Sequence, residues 1–220
     1  MKKQVVKLII FDLDGTLIDA YKAVDESVNY VMKELGLPRV SKQQIVRSVG
    51  WGEMHLLRRF IPPEKMKKAT WLYRRHHPTS LIKSSRLLPG AKRLLDHLRK
   101  RGYLLAVASN RATRFSRLVT RNLEILEYFD CVLCRDKVRR PKPYPDILRG
   151  ILKKLKVEPA RAVYVGDMTI DVQAGRRARV KTIAVPTGSS TRGEIKRLKP
   201  YRIVKCVYEV ASVLDQIHKN

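Results

Sequence analysis

The chain reads as an α/β protein: a doubly wound parallel sheet, with an all-helical insert placed directly after its first strand. Two observations carry that reading. Short, continuously apolar runs alternate with amphipathic helical stretches, and one long segment, from about residue 20 to 85, shows helical patterning alone. Length agrees, because 220 residues suffice for one large domain or for a core plus a smaller insert.

The first element is the β-branched run at residues 5–11, of strand length and without alternation, as expected of a strand covered on both faces. Within the insert, Val24, Val28, Val31, Met32 and Leu35 recur at helical spacing and stop at Gly36. Ser41 opens a second helix, with Gln44 three residues on as its capping-box partner. Gly50 to Gly52 and Pro62 with Pro63 punctuate two more. Linkers are expected near residues 16–19 and 84–90, which divides the chain into a core of residues 1–16 and 86–220 and a lid of residues 17–85.

Beyond the lid the alternation resumes. Residues 91–101 keep Leu94, Leu95 and Leu98 on one face and end at Gly102, and residues 147–155 do the same with Ile147, Leu148, Ile151, Leu152 and Leu155. Residues 104–109, 162–165 and 182–185 are further apolar strands, joined through right-handed crossovers. Cys131 and Cys134 form a lone CxxC with no second pair to complete a four-ligand zinc site, so they read as buried strand cysteines.

Charge is the unusual feature of the composition. The 47 Lys and Arg outnumber 20 Asp and Glu, giving +27, a field that attracts anions: phosphorylated metabolites, nucleic acids or anionic lipid surfaces. A solvated surface suited to the host's conditions gives the same number. Three cysteines build no disulfide framework. The leading apolar run is too short for a secretory signal, and no stretch is long enough to cross a bilayer. A soluble, cytoplasmic protein is therefore expected.

In open parallel sheets the site forms beyond the carboxyl ends of the strands. After the first strand come Asp12 and Asp14, after the second Ser109 and Asn110, and after the run at 162 come Gly166, Asp167 and then Asp171. Lys142 stands in "RRPKPYPD", where prolines stiffen the backbone that carries it. Two carboxylates about 4 Å apart repel by roughly 4 kcal/mol at an effective dielectric of ~20. A hard divalent cation with oxygen ligands removes that repulsion, which points to Mg²⁺-assisted chemistry on a phosphate ester. The residue types then divide the work. Asp12 is the candidate nucleophile. Asp14 is the acid that protonates the leaving alcohol and later the base that takes a proton from water. Gly15 lets the chain turn, Ser109 and the Asn110 amide hold phosphoryl oxygens, Lys142 offsets negative charge, and Asp167 holds the metal with support from Asp171.

"DLDGT", "SN", the lysine of "PKPYPD" and "GDMTID" together resemble the four ordered motifs of the haloacid dehalogenase-like phosphatases, from Asp12 to Asp171. The resemblance implies a Rossmann-like core, an aspartyl-phosphate intermediate, an obligatory Mg²⁺ held by Asp12, Asp14 and Asp167, and phosphate binding by Gly15, Ser109, Asn110 and Lys142. "DLDGTLID", the helical insert and "LLPGAKRLLDHLRKRGYLLAVASN" look most like the phosphoglycolate phosphatase group. Dehalogenases of the family lack the second aspartate, and the P-type ATPases carry a threonine there. The phosphosugar mutase branch usually has a larger aliphatic residue where Thr16 stands, so phosphatase is preferred to mutase.

Other features stay open at this level. Trp51 either reaches the closed site or packs the helical bundle. His76 and His77, beside Pro78, read as exposed linker or lid residues. The lid is rich in Arg47, Arg58, Arg59 and Lys65, which suits a small acidic phosphoester. Between Asp171 and Glu209 the only acid is Glu194, against Arg176, Arg177, Arg179, Lys181, Arg192, Lys196, Arg197, Lys199, Arg202 and Lys205. That run makes a nucleic-acid end phosphatase, or a nucleic-acid-binding protein, the competing expectation. Against it, aromatics are not interleaved with the basic residues, and a closing lid excludes a long polymer.

Overall fold

The computed structural model describes residues 5–219. Its main sheet contains β1 (Leu8–Phe11), β4 (Leu104–Ser109), β5 (Cys131–Cys134), β6 (Ala162–Gly166), β7 (Lys181–Ala184) and β8 (Arg202–Ile203), in the order β5-β4-β1-β6-β7-β8 with every neighbouring pair parallel. The first strand is shorter than its apolar run: Val5 is 49% exposed and pairing begins at Leu8.

The lack of alternation in these strands has a direct cause. Leu8, Ile10, Ala106, Ala108 and Tyr164 pack on one face against α7 (Asp146–Leu155) and α8 (Thr169–Ala178). Ile9, Phe11, Leu105, Val107, Val163 and Val165 pack on the other against α5 (Ala91–Lys100), α6 (Thr113–Asn122) and α10 (Val210–Lys219). Both faces are covered, so every strand residue gains from being apolar, at about 1.5–3 kcal/mol for a fully buried large side chain. A short α9 (Arg192–Arg197), with its own Thr191 and Glu194 capping box, packs Ile195 beside Val172. Cys131 and Cys134 are the two ends of β5, both buried.

Between β1 and β4 lie α1 (Tyr21–Glu34), α2 (Lys42–Ser48), α3 (Glu53–Arg58) and α4 (Met66–Ser84), which bury Val24, Val28, Val31, Ile45, Leu57 and Leu72 in a cluster of their own. Gly36, at φ +64°, ends the first of these. The Ser41 and Gln44 box opens the second as the sequence predicts, each residue bonding the other's backbone N–H. The group is attached through a two-stranded antiparallel ribbon of β2 (Ile18–Asp19) and β3 (Arg86–Leu87). His76 and His77 are lid residues, inside α4, but the expected exposure is corrected: His76 is half-buried and His77 only 2% exposed, stacked on Tyr73 and edge-on to Phe115. Pro78 is accommodated within the same helix.

Register fixes where the site forms. Phe11 pairs with Val107 on one side and Val165 on the other, so the chain leaves β1, β4 and β6 at a common edge. No helix among the described residues is long and apolar enough to cross a membrane.

Candidate active site

That edge brings together Asp12, Ser109, Asn110, Lys142, Asp167 and Asp171, all buried. Asp12, Asp167 and Asp171 each offer an oxygen within 4.8 Å of the others. Lys142 Nζ stands in their midst, 3.0 Å from Asp12 Oδ1, 2.8 Å from Asp171 Oδ1 and 2.9 Å from the Tyr164 hydroxyl. Burial works against its charge, but Asp12 and Asp171 outweigh that and hold the ammonium above its ordinary range. One ammonium among three carboxylates still leaves an excess of negative charge, and the carboxyl groups show it. Burial, opposed by Lys142, raises Asp12 to about 7, and burial with the Asp171 and Asp12 charges raises Asp167 well above its ordinary value.

The three acids are not equivalent. Asp171 is saturated: Oδ1 takes Lys142 and the Tyr164 hydroxyl at 2.7 Å, while Oδ2 accepts the backbone N–H groups of Asp167 at 3.1 Å and Met168 at 2.9 Å. It orients its neighbours. Asp167 is half satisfied, with Oδ1 accepting from Thr16 Oγ1 at 2.7 Å and Oδ2 buried without any partner. That oxygen also sits against two glycines: a Cβ on Gly15 would lie 2.5 Å from it and one on Gly188 only 1.6 Å. A buried carboxylate oxygen without a donor is costly. Here it belongs to an oxygen-only cluster with excess negative charge, in a cradle that lacks side chains, and this donor set suits a hard cation such as Mg²⁺.

Other predicted residues take places that differ from the expectation. The Asp14 carboxylate is not a member of the ion-sized cluster. It pairs in both oxygens with Arg111, Nε to Oδ2 at 2.9 Å and Nη2 to Oδ1 at 2.6 Å; β1 ends at Phe11, and by Asp14 the chain is already turning. Gly15 spends its N–H on the Ile18 carbonyl at 2.8 Å, so what it supplies is a turn at φ +82° and room for Asp167. The Asn110 side chain is committed to backbone: Oδ1 accepts from Lys142 N, and Nδ2 donates to Lys142 O and to Gly50 O. Ser109 Oγ accepts the Arg111 N–H at 3.1 Å.

A cavity of about 50 Å³ lies beside Asp12 and Asp14, bounded from the sheet by Ser109, Asn110, Arg111 and Phe115 and from the helices by Val24, Val49, Gly50, Glu53, Leu56, Tyr73 and His77. None of Arg47, Arg58, Arg59 or Lys65 borders it. Arg47 instead donates to the Ser189 carbonyl at 3.0 Å. Trp51 does not border the cavity; 38% exposed, it rests against His55 of α3 at the edge of the helical group. Arg111, Tyr164 and Gly188 escape sequence reasoning. Only Arg111 carries a signal, its position immediately after "SN".

Fold and site together define a capped α/β protein of the doubly wound parallel-sheet class, with a buried carboxylate cluster at the strand ends. The family model for haloacid dehalogenase-like hydrolases matches residues 9–185, and the chain belongs to that family. It is 29% identical over 219 residues, 96% of each chain, to a phosphoglycolate phosphatase of Nitrosospira multiformis. It is 31% identical over 177 residues to one of Aquifex aeolicus, covering 80% of this chain and 83% of that one. A crystal structure of a predicted phosphoglycolate phosphatase from Haemophilus somnus 129pt superposes with a TM-score of 0.90 at 25% identity, over 94% of this chain and 97% of that one.

Proposed function

We propose that the chain hydrolyses small phosphate monoesters of acidic alcohols, phosphoglycolate first among them, with Mg²⁺ and through a phosphoryl group carried on Asp12. The observation that carries this reading is the unpartnered Asp167 Oδ2 in a cluster with Asp12, which itself borders a cavity of about 50 Å³. That volume is on the order of a few waters, which favours a small ester over a polymer.

Lys142 on Oδ1 orients the Asp12 carboxylate and leaves Oδ2 to attack phosphorus. Ser109, accepting from Arg111 N, keeps its own hydroxyl proton for a phosphoryl oxygen, and the Asn110 backbone N–H is the contribution left to that residue. Asp14 protonates the departing alcohol oxygen as the P–O bond breaks, then takes a proton from the water that releases phosphate and restores Asp12. Mg²⁺, held by Asp12 and Asp167 with Asp171 fixing the loop, would neutralise phosphoryl charge. Residues 17–85 act as the cap of a core formed by residues 1–16 and 86–220, admitting and releasing ligand by motion at the ribbon.

The test is phosphate release with and without Mg²⁺, wild type beside Asp12→Asn, across phosphoglycolate, sugar phosphates, nucleotides and a 3′-phosphorylated oligonucleotide. Mg²⁺-dependent release from small esters that vanishes in the variant is the expected result. Activity retained in Asp12→Asn removes the nucleophile, and activity confined to the oligonucleotide replaces this reading with the polymer one.

A further inference from the structure

Among the described residues that border the cavity, the one with a permanent positive charge is Arg111, whose side chain is 7% exposed. Two of its N–H groups hold Asp14. A third points from Nη1 at His77 Nε2, 3.1 Å away. Ser27 decides the direction of that contact. Its hydroxyl donates to the Ala23 carbonyl at 2.8 Å, so its oxygen accepts at His77 Nδ1, 2.9 Å away. These partners assign the imidazole proton to Nδ1 and make Nε2 an acceptor. Burial and the Arg111 charge hold His77 well below its ordinary pKa, in keeping with a neutral ring.

A guanidinium has five N–H groups. With three engaged, Arg111 keeps one N–H on Nη1 and one on Nη2, on the two nitrogens whose paired donors match the oxygens of a carboxylate. The place is also right. Asp14, which serves the leaving oxygen, is Arg111's own partner, so the part of the substrate just beyond that oxygen comes to the guanidinium. Val24, Val49, Leu56 and Phe115 make the surroundings apolar, which strengthens a charged pair.

We propose that Arg111 is a specificity-determining residue that takes the carboxylate of the leaving alcohol, so that the site selects esters of small hydroxy acids over neutral esters of the same length. This rests on the function proposed above. Glu53 defines the rival preference: it borders the same cavity, and its Oε2 is buried without a partner while Oε1 pairs with Arg74, an arrangement that attracts a cationic group.

The experiment compares kcat/KM for phosphoglycolate, ethyl phosphate and phosphoethanolamine, with Mg²⁺, in wild type, Arg111→Lys and Arg111→Gln. The expected wild-type preference for phosphoglycolate over ethyl phosphate is at least about tenfold, collapsing in Arg111→Gln chiefly through KM and surviving in part in Arg111→Lys. The wild-type ratio needs no variant to fold. Equal use of the two esters overturns the assignment, as does an unchanged ratio in Arg111→Gln, and a preference for phosphoethanolamine transfers recognition to Glu53. If no ester is hydrolysed, the catalytic reading fails. Arg111 is then judged by calorimetric binding of phosphoglycolate against ethyl phosphate, where equal affinity sinks it.

Discussion

Asn110 grips the backbone of Lys142 from both sides, its Oδ1 accepting from Lys142 N and its Nδ2 donating to Lys142 O, each at 2.9 Å. A residue one place beyond β4 thus sets the position of an ammonium that bridges Asp12 and Asp171. Asn110→Ala leaves two buried backbone groups without partners, at a cost of about 1–3 kcal/mol. The expected result is a melting temperature lower by several degrees together with a fall in kcat of about tenfold or more. A variant that melts early but keeps its kcat would show that Lys142 does not depend on this clamp.

Gly188 offers a cleaner probe of the cation site than Gly15, because a substitution at Gly15 also strains a backbone at φ +82°. The Cβ of Gly188→Ala would lie 1.6 Å from Asp167 Oδ2, so that carboxylate must swing away. The Mg²⁺ concentration giving half-maximal activity should rise by about tenfold, since supporting contacts commonly tune metal affinity on that scale. An unaltered Mg²⁺ dependence would place the ion elsewhere.

Stability should respond to Mg²⁺ and pH jointly. Burial raises Asp12 from 3.8 to about 7. Between those values the native chain binds more protons than the unfolded one, so without a divalent cation this group's contribution to stability falls as pH rises. A cation binds the ionised cluster and reverses that loss. The rise in melting temperature caused by Mg²⁺ is therefore expected to be larger at pH 8 than at pH 5.5, and an increment independent of pH would count against Asp12 as a ligand.

His77 works in the opposite direction. Its folded pKa lies well below 6.5, so beneath 6.5 the unfolded chain binds the extra proton and stability drops as pH falls. His55 and His76, also lowered by burial, add to the slope. Thermal melts of His77→Asn should therefore lose less stability between pH 7 and pH 5 than those of the wild type; parallel curves would remove His77 as a contributor.

The strands were legible because burial on both faces leaves a contiguous apolar signature, as at Leu8–Phe11 and Leu104–Ser109. The Ser41 cap was legible because the two partners of a capping box stand only three positions apart. β8, two residues long, is too short to leave any pattern. The clustered aspartates could be found from their positions after apolar runs, whereas the partner of Asp14 could not: Arg111 lies 97 residues away, and only folding brings the two together. His77 was misread for a similar reason. Its neighbours Arg74, Arg75 and His76 suggest a wetted surface, while the helix turns that one side chain under Phe115.

The ribbon of β2 and β3 has a wider meaning. Ile18 faces Leu87 and Asp19 faces Arg86, so the chain departs from the sheet and returns to it at adjacent, mutually bonded positions. To the sheet, the four intervening helices are equivalent to a hairpin turn. Away from their contacts with the core, such as Gly50 on Asn110 and His77 against Arg111 and Phe115, their sequence can therefore diverge or lengthen without disturbing the strand register that aligns Asp12 with Asp167. Such an arrangement lets natural variation revise which molecules are admitted while the phosphorus chemistry is inherited intact.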